Sequence, residues 1–347
     1  MPRLLLTLAS FMIVIAGLRE AQAIVVPFIL SAFIATLAVG PLVALVKKNV
    51  SPSIALTAVL GGLLIIGVVI ISLLGSSIAD FTQSLPRYQV RLEELVTTLA
   101  SALSKFGVDV SYQELIKENI DPSSVLQLAG STLSQLGNVL SQSFLIFLTV
   151  AFMLAEATTL PEKIEAAFGK DSKVASGVDS FVESLVQYMS IKTIVSALTG
   201  ITVTIVLSIM EIDFPILWGV LAFLLNYVPN LGSLLAAVPV MLLAVIQYSF
   251  TAAAVVGVAY LIINTIYGNV LEPRLMGREL GISTLVVFLS LVFWGWVLGP
   301  VGMLLSVPLT MAVKIALESK EETNWIGILL SQTPSPEGSS GEEPETA

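Results

Sequence analysis

The sequence predicts an all-α polytopic integral membrane protein of about eight membrane segments, with two broken helical hairpins and a helical hydrophilic insertion. Of its 347 residues 56% are hydrophobic and 12% charged, whereas soluble domains carry about 25% charged residues. Charged side chains are absent from Phe214 to Leu271 and again from Leu280 to Val313. One crossing takes ~20 helical residues, so the first stretch fits about three legs and the second fits one long leg or two short ones.

The composition also excludes several kinds of chemistry. The chain has no cysteine and no histidine, which excludes disulfides, Cys/His zinc sites, thiol nucleophiles and histidine acid–base catalysis. It has no nucleotide-binding glycine loop, and its lysines and arginines form no dense basic stripe. The net charge of −9 comes largely from the tail after Lys314. We therefore predict a protein that is not an enzyme, needs no cofactor or metal and binds no nucleic acid.

The N-terminal region, residues 1–79, reads as a scaffold of three membrane spans. The spans are predicted at Leu4–Leu18, Ala21–Val46 and Ser53–Ala79, and Pro27 should bend the second. The charged pairs Arg19-Glu20 and Lys47-Lys48 end the first two. The first span has no signal-peptidase site followed by a polar mature domain, so we expect it to be retained.

A hydrophilic insertion follows at residues 80–135, and we expect it outside the cytoplasm. Ser84-Leu85-Pro86 has the pattern of a helix start, and apolar residues from Leu92 to Phe106 continue with helical spacing. A further helix is predicted from Asp121-Pro122, leading into a fourth span at about Asn138–Ala155.

Residues 136–320 form the predicted transport region. An amphipathic segment covers Leu160–Met189, and Lys192 then opens a fifth span, Thr193–Met210, which ends at Glu211 and Asp213. The remaining apolar legs are Phe214–Val228, Leu231–Gln247, Thr251–Leu271 and a last run broken between Trp294 and Gly302. The acidic tail, residues 321–347, should be mostly disordered.

The lysines and arginines in the flanks favour a cytoplasmic N-terminus and C-terminus. This orientation places Lys47, Lys192, Arg274, Arg278 and Lys314 inside. This topology is consistent only if each broken segment starts and ends on the same side of the membrane. Two re-entrant hairpins satisfy that condition, and so do two pairs of short spans.

The candidate solute path lies where the legs are interrupted, because helix ends inside a membrane present free N–H and C=O groups. The alternative is that these residues are packing kinks or bonds between helices. The path candidates come from the two breaks and from the leg between them; they are Asn226, Pro229, Asn230, Gly232, Asn264, Asn269, Gly295, Gly299 and Gly302.

The sharpest charged element is Glu272-Pro273-Arg274, which follows the long uncharged run. It is either an interfacial ion pair with a cytoplasmic anchor or a gate that pairs differently in two states. Glu156 is expected at the interface, with proton or cation coupling as the alternative. Thr199, Thr202 and Thr204 are expected to bond back to their own helix. Trp294 and Trp296 fit an interfacial belt as well as a ligand contact.

Three of these segments resemble the autoinducer-2 exporter (AI-2E) family of permeases. They are Asn226-Tyr227-Val228-Pro229-Asn230-Leu231-Gly232, the stretch from Gly268-Asn269-Val270-Leu271 through Glu272-Pro273-Arg274 to Gly277, and the stretch from Trp294 to Pro308. The similarity covers roughly Leu4 to Leu317. It implies an inner-membrane transporter that assembles as a homo-oligomer, with a pentamer as one candidate.

The resemblance implies a secondary transporter that exports a small polar organic solute such as the quorum-sensing signal autoinducer-2. Other members are linked to sodium or lithium/proton antiport, which leaves H⁺ or Na⁺ coupling as an alternative. An antiporter should carry an acidic residue deep in a span, and the C-terminal legs have none before Glu272. A hypothesis from another class is a scaffold or regulator that transports nothing and docks a partner through residues 80–135.

Overall fold

The computed structural model describes residues 2–104, 142–157, 159–169, 173–229, 232–276, 282–318 and 322–331. Every regular element in these ranges is helical. The helices are α1 Pro2–Glu20, α2 Gln22–Lys47, α3 Pro52–Ser104, α4 Ser143–Ala157, α5 Leu160–Phe168, α6 Lys173–Ile209, α7 Pro215–Leu225, α8 Gly232–Gln247, α9 Phe250–Asn264, a π-helical turn Thr265–Leu271, α10 Glu272–Met276, α11 Thr284–Leu304, α12 Ser306–Glu318 and α13 Asn324–Leu330.

The described helices confirm the all-α polytopic class. By length and composition alone, five helical stretches within the described ranges could cross a membrane: Gln22–Lys47, Pro52–Leu95, Val182–Ile209, Phe250–Met276 and Thr284–Leu304. The last of them is interrupted at Gly299. Large apolar side chains such as Met12, Ile65, Phe144, Phe152 and Ile209 point outward. Outward apolar side chains on helices of this length are what a lipid environment requires.

The third helix corrects the prediction of a new helix at Ser84-Leu85-Pro86. Helix α3 runs through Pro86 without interruption, and Phe81 before this proline and Tyr88 after it are buried. The ring of Phe81 lies edge-on to Trp218 at 5.5 Å, and Tyr88 donates a hydrogen bond to Asp213 Oδ2 at 2.6 Å. Packing on either side keeps the helix in line, although proline removes one backbone hydrogen bond.

Helix α6 corrects a second prediction. The sequence suggested an amphipathic segment ending at Met189 and a separate span that Lys192 opens. The structure has one helix from Lys173 to Ile209, and Lys192 is buried in its middle with 6% of its surface exposed. A largely buried carboxylate partner, described below, allows this lysine to lie inside an apolar helix.

Helices α7 and α8 form an antiparallel pair, named here hairpin one. At its open end the Asp213 N–H donates to Gln247 Oε1 at 3.2 Å, and the Tyr248 hydroxyl donates to the Glu211 carbonyl at 3.1 Å. At its tip Gly232 lies against Leu225, so close that a Cβ atom there would lie 1.8 Å from the Leu225 carbonyl oxygen. Both legs are shorter than the ~20 residues of a full crossing.

The last apolar run also reverses direction and forms hairpin two, residues 284–318. Gly299 has φ 67° and ψ −153°, a conformation that a side chain would strain. Beyond it, a Cβ on Gly302 would lie 2.0 Å from the Trp294 carbonyl oxygen, whereas residues eight apart in a straight helix are ~12 Å apart. The chain therefore folds back at Gly299, as the predicted break between Trp294 and Gly302 required.

The largest buried core joins α3, α6, hairpin one and α9. Its members are apolar and include Phe81, Leu207, Trp218, Val240 and Val256. Helices α6 and α7 meet at two glycines, since a Cβ on Gly219 would lie 2.6 Å from the Gly200 carbonyl oxygen. Small residues allow such close approach between membrane helices. This contact fixes hairpin one against α6 and directs its tip toward the middle of that helix.

Candidate functional site

The polar residues of α6 lie along one buried face. Tyr188, Lys192, Ser196 and Thr199 follow one another at spacings of four, four and three, which places them on one side of an α-helix. None has more than 6% of its surface exposed. We name this set the polar stripe. It faces the tip of hairpin one and the helix that carries Glu272.

The centre of the stripe is a buried ion pair. Lys192 Nζ lies 2.7 Å from Glu272 Oε1 and 2.9 Å from Oε2, and the two side chains are 7% and 16% exposed. Both carboxylate oxygens thus receive a charge-assisted hydrogen bond, which offsets the cost of removing the charges from water. The gating candidate Glu272 therefore pairs with Lys192 across two helices, while Pro273 and Arg274 are exposed.

The tip of hairpin one contacts the stripe through one side chain and a neighbouring residue of α6 through another. Asn226 Nδ2 donates to Ser196 Oγ at 2.9 Å, and the hydroxyls of Tyr227 and Thr193 share a hydrogen bond of 2.7 Å. Pro229 and Gly232 complete the described part of the tip, and Asn230 lies outside the described residues. The first predicted break thus meets α6 halfway along its length, at polar groups.

The helix opposite the stripe contains the π-helical turn. The hydroxyls of Tyr267 and Thr202 lie 3.0 Å apart, which joins this turn to α6. Asn264 is half-buried, with its Oδ1 over Gly268, and Asn269 is exposed. Two of the three threonine predictions are confirmed, since Thr199 and Thr204 donate to their own helix. The third is wrong, because the Thr202 hydroxyl pairs with Tyr267.

The glycines of the second break lie elsewhere. The side chain of Gln22 approaches Gly299, and the guanidinium of Arg19 lies 4.7 Å from the centre of the Trp296 ring. Gly295 packs against Met303, and Gly302 against Trp294. The tip of hairpin two therefore reaches the corner between α1 and α2. The structure brings Asn226 and Glu272 to α6 and leaves these three glycines apart from them.

Ser306, the first residue of α12, is a buried polar group that the sequence reading missed. Its side chain is fully buried, and its hydroxyl has no hydrogen-bond partner among the described residues. Its neighbours Leu305 and Val307 belong to the same apolar cluster as Tyr188, against which Tyr227 also packs. The return leg of hairpin two therefore comes close to the stripe, although its tip does not.

Comparison with known proteins identifies the family. A sequence model described as "AI-2E family transporter" matches residues 4–322. The chain belongs to the AI-2E transporter family. It is 41% identical over 330 residues to "AI-2 transport protein TqsA" of Escherichia coli K12, covering 95% of each chain. It is 40% identical over 333 residues to a "Putative transport protein" of Haemophilus influenzae, covering 94% of this chain and 96% of the relative.

Family membership and the apolar helices together make this chain a multi-pass membrane protein of a transporter family. The candidate site residues that sequence reasoning missed in this AI-2E family member are Tyr188, Lys192, Thr193 and Ser196. Their signal was available as polar residues four apart in an otherwise apolar helix. A lysine at the predicted start of a span has an ordinary explanation as an interfacial anchor, and this hides the signal.

Proposed function

We propose that this protein is a secondary transporter that exports a small polar organic solute, and that autoinducer-2 is the first solute to test. The similarity to AI-2 transport protein TqsA supports that choice. The observation that carries the proposal is the buried Lys192–Glu272 pair beside the tip of hairpin one. Broken helices that end at polar groups inside the membrane are the usual location of a transporter's solute site.

The proposed solute contacts are hydroxyl and amide groups next to the ion pair. Asn226, Tyr227 and Thr193 present donors and acceptors that a hydroxylated solute can share. Pro229, Asn230 and Gly232 are proposed to line the path at the tip of hairpin one. Asn264 and Asn269 are proposed to extend it along α9 and the π-helical turn.

We propose that the solute path opens and closes at the ion pair. Lys192 and Glu272 join α6 to α10, so separating them releases one helix from the other and hydrates both charges. The solute's polar groups then replace part of the lost interaction. Pro273 and Arg274 are proposed to flank this gate. Gly295, Gly299 and Gly302 are proposed to let the two legs of hairpin two pack closely against each other.

The test is solute flux in liposomes that contain the purified protein. Autoinducer-2 and unrelated small polyols are loaded inside, and efflux is followed with and without proton and sodium gradients. We expect efflux of at least one solute, and we expect Glu272→Gln to reduce it at least ten-fold. The matched control is Glu156→Gln, which makes the same change in the exposed Glu156–Lys163 pair. Folded protein with no flux of any solute or ion contradicts the proposal.

A second candidate is Na⁺(Li⁺)/H⁺ antiport, which the burial of the Glu272 carboxylate favours. The same liposomes, loaded with a pH-sensitive dye, separate the two candidates. Dye recovery on adding Na⁺ or Li⁺ without any organic solute supports antiport. Folded protein without flux of either kind, together with a stoichiometric partner in a pull-down, favours the scaffold hypothesis.

The proposed setting is the inner membrane of a bacterium, with both termini in the cytoplasm and several copies in one assembly. The named relatives are bacterial proteins, which supports this location. A homopentamer is the proposed assembly. Mass measurement of the detergent-solubilised protein, corrected for bound detergent, tests the number of copies, and a monomer at all concentrations contradicts it.

A further inference from the structure

The helix that carries Glu272 has an unusual backbone immediately before that residue. Residues Thr265–Leu271 form a π-helical turn, and the Glu272 N–H donates to the carbonyl of Tyr267, five residues earlier. In an α-helix the same N–H would bond to Gly268, four residues earlier. π-helical turns are rare and are frequently found at functional sites.

Pro273 follows the π turn directly and disfavours an α turn at this position. In an α-helix its ring would clash with the carbonyl of Asn269, four residues earlier, and the wider π turn relieves that clash. The π bond to Gly268 would need an N–H on residue 273, which proline lacks. In the observed turn the Gly268 carbonyl therefore has neither of these main-chain donors, because the Glu272 N–H is committed to Tyr267.

The π turn determines which way Glu272 faces. It spans one residue more than an α turn, so a return to α geometry would rotate everything after it by about 100° relative to α9. Tyr267 is joined to Thr202 of α6, which fixes the turn beside the polar stripe. A rotation of that size would remove the Glu272 carboxylate from Lys192, which it now meets at 2.7 Å.

We propose that Pro273 is a positioning residue: it holds the π turn, and the π turn places Glu272 against Lys192. This inference rests on the proposed function of the ion pair as a gate. In this mechanism the gate stays closed while the turn keeps its π geometry, because α geometry, which Pro273 disfavours, would rotate Glu272 away from Lys192.

The experiment measures the interaction between residues 192 and 272 in the full-length protein in detergent, without any transport. Lys192→Met, Glu272→Gln and the double variant are compared by thermal unfolding with Pro273 intact and with Pro273→Ala. With proline, each single variant should unfold at a lower temperature and the double variant should recover part of the loss. With alanine, this interaction should disappear, so that the double variant shows no recovery relative to the two singles.

Two further variants make the result decisive. Pro41→Ala changes another exposed proline inside a helix and should leave the interaction unchanged. Deleting Ile266 together with Pro273→Ala removes the extra residue, so an α-helix would keep Glu272 facing Lys192 and the interaction should return. This deletion variant decides the matter if Pro273→Ala alone does not fold.

Alanine is the better helix former by about 3 kcal/mol, so a proline without a positioning role predicts a simple gain in stability. The proposal is overturned if Pro273→Ala raises the unfolding temperature and keeps the interaction intact. It is also overturned if the deletion variant folds without the interaction. Absence of solute flux, by contrast, ends the proposed transport function and leaves this measurement unaffected.

Discussion

Lys192 and Glu272 illustrate how a charged pair is kept inside an apolar helix bundle. Each charge alone would be costly at this depth, but together they share two short hydrogen bonds and leave little charge unpaired. The pair joins residues far apart in sequence, on α6 and α10. The interaction energy of the pair therefore depends on the relative position of α6 and α10.

The first prediction concerns the stability of this pair. Glu272→Gln or Lys192→Met should lower the free energy of unfolding by about 3–5 kcal/mol, because either leaves one buried charge without its partner. The double variant should regain much of that loss. Chemical or thermal unfolding in detergent measures all three, with Glu156→Gln at the exposed pair as the control. Equal losses in the control would mean that burial has no role.

At the scale of elements, the contact between α6 and α7 determines where the tip of hairpin one lies. Gly200 and Gly219 allow the two backbones to approach closely, and Thr204 fills the space beside them. This contact leads Asn226 and Tyr227 to the polar stripe. The geometry of the site thus depends on residues that never touch it.

The second prediction is that Gly219→Ala disrupts hairpin one. Its Cβ would lie 1.8 Å from Thr204 Oγ1 and 2.6 Å from the Gly200 carbonyl oxygen, so the helices must separate. We expect a loss of about 1–3 kcal/mol in stability and a matching loss of flux. Gly62→Ala is the control, because nothing lies within 4 Å of a Cβ there. Thermal unfolding of both variants checks the result, and equal behaviour contradicts it.

The third prediction concerns the junction between α3 and hairpin one. Asp213 accepts a hydrogen bond from Tyr88 with Oδ2, and its backbone carbonyl accepts one from Trp218 Nε1 at 3.0 Å. Tyr88→Phe should cost about 1.5–3 kcal/mol, since Asp213 loses a buried donor. The Tyr248 hydroxyl also donates to a backbone carbonyl, but the Tyr248 side chain is exposed. Tyr248→Phe should therefore cost less. Unfolding in urea ranks the two, and the reverse order contradicts the prediction.

At the scale of the whole molecule, the two hairpins turn at different places. Hairpin one reaches the middle of α6, whereas hairpin two reaches the corner between α1 and α2. If α6 and α2 both cross the membrane, the first tip lies deep and the second lies near a polar loop. The solute site is accordingly expected at hairpin one, with hairpin two as its wall.

The fourth prediction tests the proposed orientation. The chain has no native cysteine, so single Ser51→Cys and Ser249→Cys variants can be labelled in intact cells with a maleimide that does not cross membranes. With a cytoplasmic N-terminus, residue 249 should react from outside, and residue 51 only after the cells are permeabilised. Both serines are exposed loop residues of the structure. The opposite pattern inverts the topology.

Several sequence predictions about organisation remain predictions. Several predicted features lie outside the described residues. They are the helix expected from Asp121-Pro122, the first residues of the fourth span, Asn230, and the acidic tail from residue 332. The boundary at residue 80 falls within the single helix α3. The extracytoplasmic location of residues 80–135 is open to the same labelling method.

The sequence by itself determined the class of this protein, because the length of its uncharged runs and the positions of their breaks follow directly from composition. It also located the turns at Asn226–Gly232 and at Gly299, since proline and glycine act on the local backbone. Only the tertiary structure decided that Lys192 is buried, that Glu272 is its partner and that Pro86 interrupts nothing. These outcomes depend on contacts between helices distant in sequence, and no local pattern specifies which helices meet.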